Sequence, residues 1–401
     1  MNHFSPDDDV EVKAAVEQTF AEDLSLEIVG SGSKRSLGRP MATDGQLDLS
    51  KLAGIVDYEP AELVLTARPG TLLADVEALL ADADQALAFE PPDYSELLGG
   101  DHSGTLGGMI ACNLSGPRRI KAGAARDHLL GFKGVTGHGQ LFKSGGKVVK
   151  NVTGYDLSKL VTGSMGTLAA LCEVSIKTLP RPETTWTLVL RDLDDRTALA
   201  AMTKAMTSSF EISGAAHLPP SVPARLGFGN AALTALRLEG PGPSVEARFG
   251  ALAKELGGGD KLEDKGSLTL WPGLRDVAPL TGESNQAVWR LSVPPQAGAK
   301  VVAAIREKRD ITYYYDWAGG LVWIATADDD DAGADVVRSA IEKHSTAPSG
   351  HATLIRAPER VRAGVPVFHP QPAPLEALTK RVKESFDPKG ILNPGRMYQG
   401  I

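Results

Sequence analysis

Glycine falls beside small or hydroxylated residues twice in succession between positions 104 and 182, and this pattern constrains the chain more than any other. The first run reads G-T-L-G-G-M-I-A-C-N-L-S-G-P from Gly104, and R-D-H-L-L-G-F-K-G-V-T-G-H-G follows from Arg126. The second reads K-N-V-T-G-Y-D-L-S-K-L-V-T-G-S-M-G-T-L from Lys150 and closes on the strand-like A-L-C-E-V-S-I-K. Loops of this composition let backbone N–H groups approach an anion without obstruction by a Cβ, which is the chemistry of a phosphate cradle. Gly-rich turns also join strands in many β-containing proteins. Here the glycines gather together with Asn113, Asn151 and Asp156.

Upstream, a helix over 10–20 leads to a β-like run at 26–29, which ends in G-S-G-S-K-R-S-L-G-R-P from Gly30. A strand followed by a glycine loop is what a pyrophosphate needs. Position 35 is Arg35, so the G-x-G-x-x-G fingerprint fails and NAD is disfavoured. Residues 55–58 and 62–67 alternate as half-buried strands and run into R-P-G-T at Arg68. Thr71 is then the expected N-cap of a helix whose apolar stripe is Leu72, Val76, Leu79 and Leu80. Another helix should open near Thr105 and aim its first N–H groups at the ligand. Residues 129–135 and 140–143 read as a hairpin, leaving His138 at an exposed turn with no role, and 169–178 reads as a strand.

In this order, the T-L-G-G…N-x-x-G, K-N-x-x-G-Y-D-L and G-S-x-G-T-L segments closely resemble the FAD-binding core of the vanillyl-alcohol oxidase and p-cresol methylhydroxylase (PCMH) family. The G-P-R-R at Gly116 and the closing I-L-N-P-G-R-M-Y at Ile391 extend the resemblance to FAD-binding subunits of glycolate oxidases. The resemblance implies bound FAD, with Gly30, Ser31, Gly32, Ser33, Lys34, Arg35 and Ser36 on its diphosphate and the turn Pro69, Gly70 and Thr71 set against the flavin. It places Gly104, Thr105, Gly107, Gly108 and Gly116 at the cofactor, with Asn113 and Ser115 hydrogen-bonding its polar edge and the backbone near Leu171 and Val174 at the adenine. Asn393 and Arg396 belong to a closing motif beside the cofactor, where Arg396 would offset charge on reduced flavin. Arg118 and Arg119 are either surface charge or partners for the diphosphate or for an acidic group on another subunit. No histidine stands between His3 and His102, so the flavin is expected to be non-covalent. His102 is either a flavin-facing base or anchor, or simply solvated.

Pro180-Arg181-Pro182 ends both helix and strand and marks a linker. Strands and helices then interleave with a hairpin around an Asp-Trp-Ala-Gly-Gly turn, suggesting a smaller ferredoxin-like α+β cap. Its Trp271, Trp289, Trp317 and Trp323 are expected as core or interface anchors. Leu375, Leu378, Val382 and Phe386 line one face of a late helix that Asp387-Pro388-Lys389-Gly390 stops. The expected class is therefore α+β: a two-subdomain PCMH-type FAD-binding domain at 1–182, a cap at 183–345, and a segment at 346–401 that returns to the FAD domain.

A net charge of −8 without a long basic run argues against nucleic acid. Cys112 and Cys172 are the two cysteines, too few for an iron–sulfur cluster or a disulfide framework. The acidic N-terminus has no apolar run, so a cytoplasmic protein without an integral membrane segment is expected, with peripheral membrane association only through partners. The resemblance implies a catalytic flavin subunit and an iron–sulfur subunit as partners in a glycolate oxidase complex. A self-sufficient FAD-dependent D-2-hydroxyacid dehydrogenase and a non-catalytic scaffold remain open as alternatives. His344 and His351 have the spacing of a metal-binding pair, but a breaker at 346–350 separates them and no Glu-His pair follows, so no metal is expected. His351, Arg356 and His369 are the candidates for a substrate pocket.

Overall fold

The apolar run that closes the second glycine segment forms the strand Ala169–Lys177, buried at seven of its nine positions. A strand paired on both sides and covered on both faces reads as a continuous apolar run rather than an alternation. The structure, a computed structural model, describes residues 2–100, 102–146, 155–282, 285–345 and 350–401. They form two units: residues 1–114, 123–181 and 370–401 make one, and 115–122 with 182–369 the other.

In the first unit, β1 (Asn2–Phe4), β2 (Leu26–Val29) and β3 (Gly45–Asp48) form a parallel sheet in the order β1-β3-β2. The helix Asp9–Ala21, capped by Asp8 accepting from the Glu11 N–H, buries Val12, Ala15, Val16 and Thr19. Val12 and Val16 share a core with Leu26, Leu47, Val135, Cys172 and Leu392. The remaining strands are β4 (Ile55–Glu59), β5 (Val64–Ala67), β6 (Gln85–Ala86), β7 (Leu129–Thr136), β8 (Leu141–Gly145), β9 (Ala169–Lys177) and β10 (Leu179–Pro180). Five make an antiparallel sheet ordered β4-β5-β9-β7-β8, while β6 and β10 form a short ribbon.

Three local expectations change. The helix Leu73–Asp82 starts from Leu72 without a side-chain cap, because the Thr71 hydroxyl instead donates to the Arg68 carbonyl and accepts from the Gly54 N–H. Its buried stripe is Leu73, Val76 and Leu80, with Leu72 exposed. The helix Ala373–Phe386 leaves Leu375 and Leu378 about half exposed and is instead held by a buried lysine, Lys383.

The second unit holds one antiparallel eight-stranded sheet: β11 (Thr184–Arg191), β12 (Gly214–Leu218), β13 (Leu233–Gly240), β14 (Asp260–Leu262), β15 (Gln286–Ser292), β16 (Thr312–Asp316), β17 (Leu321–Ala327) and β18 (His351–Arg356). Its order, β14-β11-β13-β12-β16-β17-β15-β18, is that of two βαββαβ repeats laid side by side. The helices Asp195–Met206 and Gly242–Leu256 serve the first repeat, and Gly298–Arg306 and Ala334–His344 the second. The repeats meet where β12 pairs with β16, His217 opposite Tyr315. The unit is thus a duplicated ferredoxin-like layer. β18 belongs to it through pairing with β15, so the chain returns to the first unit at residue 370 rather than at 346. β12 has little β-propensity in its Gly-Ala-Ala-His-Leu sequence, and is a strand because it lies between two partners with all five residues buried. Trp271, Trp289, Trp317 and Trp323 are all buried here.

Residues 115–122 join this unit through Arg118, whose Nε and Nη2 donate to Glu239 at 3.0 and 2.8 Å. Burial works to raise the Glu239 carboxyl, but Arg237 and Arg118 prevail and hold it at about 2. A carboxyl depressed on folding stabilises the fold above its ordinary pKa of 4.5 and loses that contribution as pH falls towards 2. The shift corresponds to about 3 kcal/mol. Urea unfolding should therefore show Glu239→Gln less stable than the parent by roughly that amount at pH 7, with the gap closing as pH falls from 4.5 to 2; a gap independent of pH would exclude this origin.

Candidate cofactor site

β2 leads directly into Gly30, where a Cβ would stand 2.5 Å from Thr105 Oγ1, so only glycine fits. The loop that follows turns through Gly32 at a φ of +78°, a conformation that suits glycine. The Arg35 N–H closes the turn onto the Gly32 carbonyl, and Ser31 Oγ donates to the Ser103 carbonyl at 2.7 Å. Among the described residues, the N–H groups of Ser31, Gly32, Ser33 and Lys34 have no protein acceptor. Consecutive backbone donors in a tight turn form an anion-binding concavity.

Lys34 adds an ammonium to this loop, its Nζ 3.1 Å from Ser33 Oγ. Burial pulls its pKa down, only partly offset by Cys112 and Asp93. An anion brought to Nζ would supply the counter-charge that burial removes. Arg35 is already committed to a bidentate pair with Glu27.

The loop opens onto a cavity of about 780 Å³, solvent at its mouth included. Of the residues expected at the cofactor, Gly30 through Arg35, Pro69, Thr105, Gly107, Gly108, Leu171, Asn393 and Arg396 line it. Asn393 is fixed from three sides: its N–H donates to the Leu26 carbonyl, its Oδ1 accepts from the Ile28 N–H at 2.7 Å, and its Nδ2 donates to the Met165 carbonyl at 2.7 Å. Arg396 Nη2 donates to the Lys34 carbonyl at 2.8 Å and so supports the phosphate loop from behind.

Other expected residues stand off the cavity. The helix Leu106–Cys112 does not present its first N–H groups to a ligand, because Leu106, Gly107 and Gly108 donate to Thr71 O, Pro69 O and Thr105 Oγ1. Gly107 allows this contact, since a Cβ there would lie 2.5 Å from Pro69 Cβ. Gly70 and Thr71 shape the same turn, and Gly104 lies against the Lys34 ammonium. Asn113 takes a φ of 51° at the helix C-terminus and accepts from the Arg126 N–H. Val174 is enclosed in β9 between β5 and β7, and Ser36 is absent from the lining. Ser115, Gly116 and Arg118 fall in the second unit, where Glu239 takes Arg118. Residues 150–154, with Asn151, lie outside the described residues.

The lining adds Glu27, Ile28, Val29, Leu49, Ala111, Cys112, Met165, Gly166 and Ala169. Met165 and Gly166 sit within the G-S-M-G-T-L segment and were readable there; Leu49 and Glu27 carry no local signal. Cys112 is half-buried, its thiol pushed up by burial against the pull of Lys34 and Arg396.

His102 is exposed and off the cavity, and His138 is half-buried beside Gln140. His344 ends the helix Ala334–His344 and His351 begins β18. Arg356 is a structural clamp, donating from Nε to the Gln286 carbonyl at 3.0 Å, and His369 Nδ1 accepts from the Ala352 N–H at 3.4 Å.

Solved structures with this fold include p-cresol methylhydroxylase with substrate bound (TM-score 0.71, 13% identity, 98% of this chain and 88% of that one) and the 4-ethylphenol oxidase of Gulosibacter chungangensis (TM-score 0.72, 12% identity, 99% and 89%). The profile of the FAD binding domain matches residues 3–145, and that of the C-terminal domain of FAD-linked oxidases matches 372–397. Fold and site therefore define an α+β FAD-dependent oxidoreductase of the PCMH type. The glycolate oxidase subunit GlcE of Escherichia coli is 37% identical over 96% of this chain and 95% of its own length, and the chain belongs to that family. The glycolate oxidase subunit GlcD of Bacillus subtilis is 27% identical over 95% of this chain and 85% of its own length.

The cradle fits an FAD diphosphate, and substitutions at two positions test that placement. Gly32 has room for a side chain, with only Arg35 Cδ near a Cβ at 3.7 Å. Gly32→Asp would set a carboxylate among the donor amides, where like charges ~4 Å apart repel by about 4 kcal/mol at an effective dielectric of 20, roughly a thousandfold in affinity. Gly32→Ala carries the same backbone strain without the charge and should lose far less. Lys34→Met should weaken FAD about 10- to 100-fold, the scale of a charge-assisted hydrogen bond, without lowering the melting temperature of the FAD-free protein. Fluorescence titration with FAD reads all three variants, and unchanged affinity in Gly32→Asp would put the diphosphate elsewhere.

Proposed function

We propose that this chain is the FAD-binding subunit of a glycolate-oxidising complex and passes electrons onward through partner subunits. The observation that supports it best is near full-length similarity to a protein named as a glycolate oxidase subunit, in a chain whose first unit forms a phosphate cradle. Oxidation of glycolate to glyoxylate removes a hydride and a proton, and the flavin supplies the two-electron acceptor. Ser31 to Lys34 would hold the diphosphate, while Asn393 and Arg396 fix the loop and the cavity wall. With two cysteines, both in the first unit, the chain has too few thiolates for an iron–sulfur cluster, so an iron–sulfur partner and a second flavin subunit complete the electron path. Among the described residues, no helix is long and apolar enough to cross a membrane.

FAD is held without a covalent bond on this reading, since among the described residues no histidine lines the cavity and Cys112 has a raised pKa. Acid precipitation should release all the yellow colour into the supernatant, and colour kept in the pellet would show a covalent link. The FAD-loaded chain alone should reduce dye with glycolate far more slowly than it does when co-purified with its partners. Turnover equal to that of the complex would favour the self-sufficient dehydrogenase, and failure to retain FAD the scaffold.

A further inference from the structure

The cofactor cavity contains a group that an anion site would be expected to avoid. Among the described residues that line it, Glu27 is the one carboxylate, set beside the cations Lys34, Arg35 and Arg396. Alternation along β2 sends Leu26 into the core with Leu47 and turns Glu27 to the side shared by Val29, where its side chain is only 13% exposed. A carboxylate so enclosed would repel a diphosphate held by the following loop. Arg35 offsets that charge. Its Nε donates to Glu27 Oε1 at 3.1 Å and its Nη2 donates to Oε2, so a fork from a largely exposed side chain covers the acid. The hydrogen bond to Glu27 is the first cause of the raised Arg35 pKa, with burial opposing the rise and Asp48 adding to it.

The fork uses one acceptor position on each Glu27 oxygen, and an ionised carboxylate has about four. Those left over belong to a side chain that lines the cavity, and they can take only donors. The donors that a flavin dinucleotide carries close to its diphosphate are sugar hydroxyls. The walls indicate which sugar. Val29, on the same side of β2 as Glu27, accepts through its carbonyl from the Leu49 N–H, and Ala169 and Leu171 of β9 add to an apolar lining that suits an adenine face. Ser31 and Lys34 instead meet Ser103 and Gly104, just before the helix Leu106–Cys112.

We propose that Glu27, with its charge offset by Arg35, accepts hydrogen bonds from the hydroxyls of the adenosine ribose and so selects FAD by its nucleotide half. Glu27 is the specificity-determining residue and Arg35 a positioning residue that acts through it. Arg35 thereby has a role at the cofactor without touching the diphosphate.

The inference rests on the cradle holding the diphosphate, and the test separates the two. Flavin fluorescence titration of the FAD-free, full-length protein would compare FAD with analogues whose adenosine is 2′-deoxy or 3′-deoxy. The parent should bind FAD about tenfold more tightly than at least one analogue, the scale of a charge-assisted hydrogen bond. Glu27→Leu should bring that ratio to near one, whatever the released Arg35 does to overall affinity, whereas a merely structural role would shift all three ligands in parallel. Glu27→Gln retains an acceptor oxygen and should retain part of the preference. Arg35→Met uncovers the acid and should weaken all three ligands alike by about tenfold, most at low ionic strength, with the preference intact. Equal binding of the three ligands by the parent, or a preference that survives in Glu27→Leu, overturns the ribose assignment; the parent measurement stands even if a variant fails to fold. Equal binding together with loss of FAD in Gly32→Asp would sink this assignment alone. A parent that binds none of the three, or full FAD affinity in Gly32→Asp, would remove the cradle and this inference with it.

Discussion

A buried ion pair near the C-terminus sets the geometry on which the cofactor cavity depends. Lys383 Nζ donates to Asp387 Oδ2 at 2.6 Å, to the Thr167 carbonyl at 2.7 Å and to the Leu392 carbonyl at 2.9 Å. Asp387 in turn accepts from the N–H groups of Ile391 and Leu392. Every donor on the ammonium has an acceptor, which is the condition under which a buried charge is tolerated. Burial lowers the Lys383 pKa and Asp387 opposes that shift. Three stretches distant in sequence meet at this one pair: the last helix with the closing tail, the G-S-M-G-T-L loop through Thr167, and the β7–β8 turn, where a Cβ on Gly137 would strike Asp387.

From that anchor the constraint passes along the tail to the phosphate loop. Leu392 is set beside β2, Asn393 then bonds Leu26, Ile28 and Met165, and Arg396 reaches the carbonyl of Lys34. Asn393 adopts a φ of 44°, and a Cβ on Gly166 would come within 2.6 Å of its amide nitrogen, so neither position accepts a larger or differently shaped residue without shifting the other. The loop amides are thereby held in place before any ligand arrives, which lowers the ordering cost of binding.

The cradle was legible in the sequence because its chemistry is local. A strand at 26–29 followed by glycine, serine and lysine announces backbone donors, and the same residues form the turn. The helix at Leu106 misled because its glycines are equally consistent with ligand approach and with close packing; here Pro69 and Thr71 consume the amides. Arg118 misled for a related reason: a basic pair beside a glycine loop resembles an anion site, yet its partner is Glu239, over a hundred residues away. Long-range partners leave no trace in local spacing. The same limit explains β12, which is a strand through its neighbours rather than its residues, and β18, whose assignment follows from pairing with β15.

The two units solve the problem of holding charge differently. In the first, backbone amides carry most of the positive potential and a single partly desolvated lysine adds to it, an arrangement suited to a large anion that stays bound. Side-chain cations there are largely engaged by protein groups, as with Arg35 and Glu27 or Lys383 and Asp387. In the second unit, Arg119 and Arg290 both stack on the Trp317 ring, and the turn that carries this ring holds Trp317 and Ala318 at positive φ. A ring contact fixes a guanidinium without neutralising it. That distinction separates Arg118, whose guanidinium forks onto Glu239 and serves stability, from its neighbour Arg119, which stacks on the Trp317 ring.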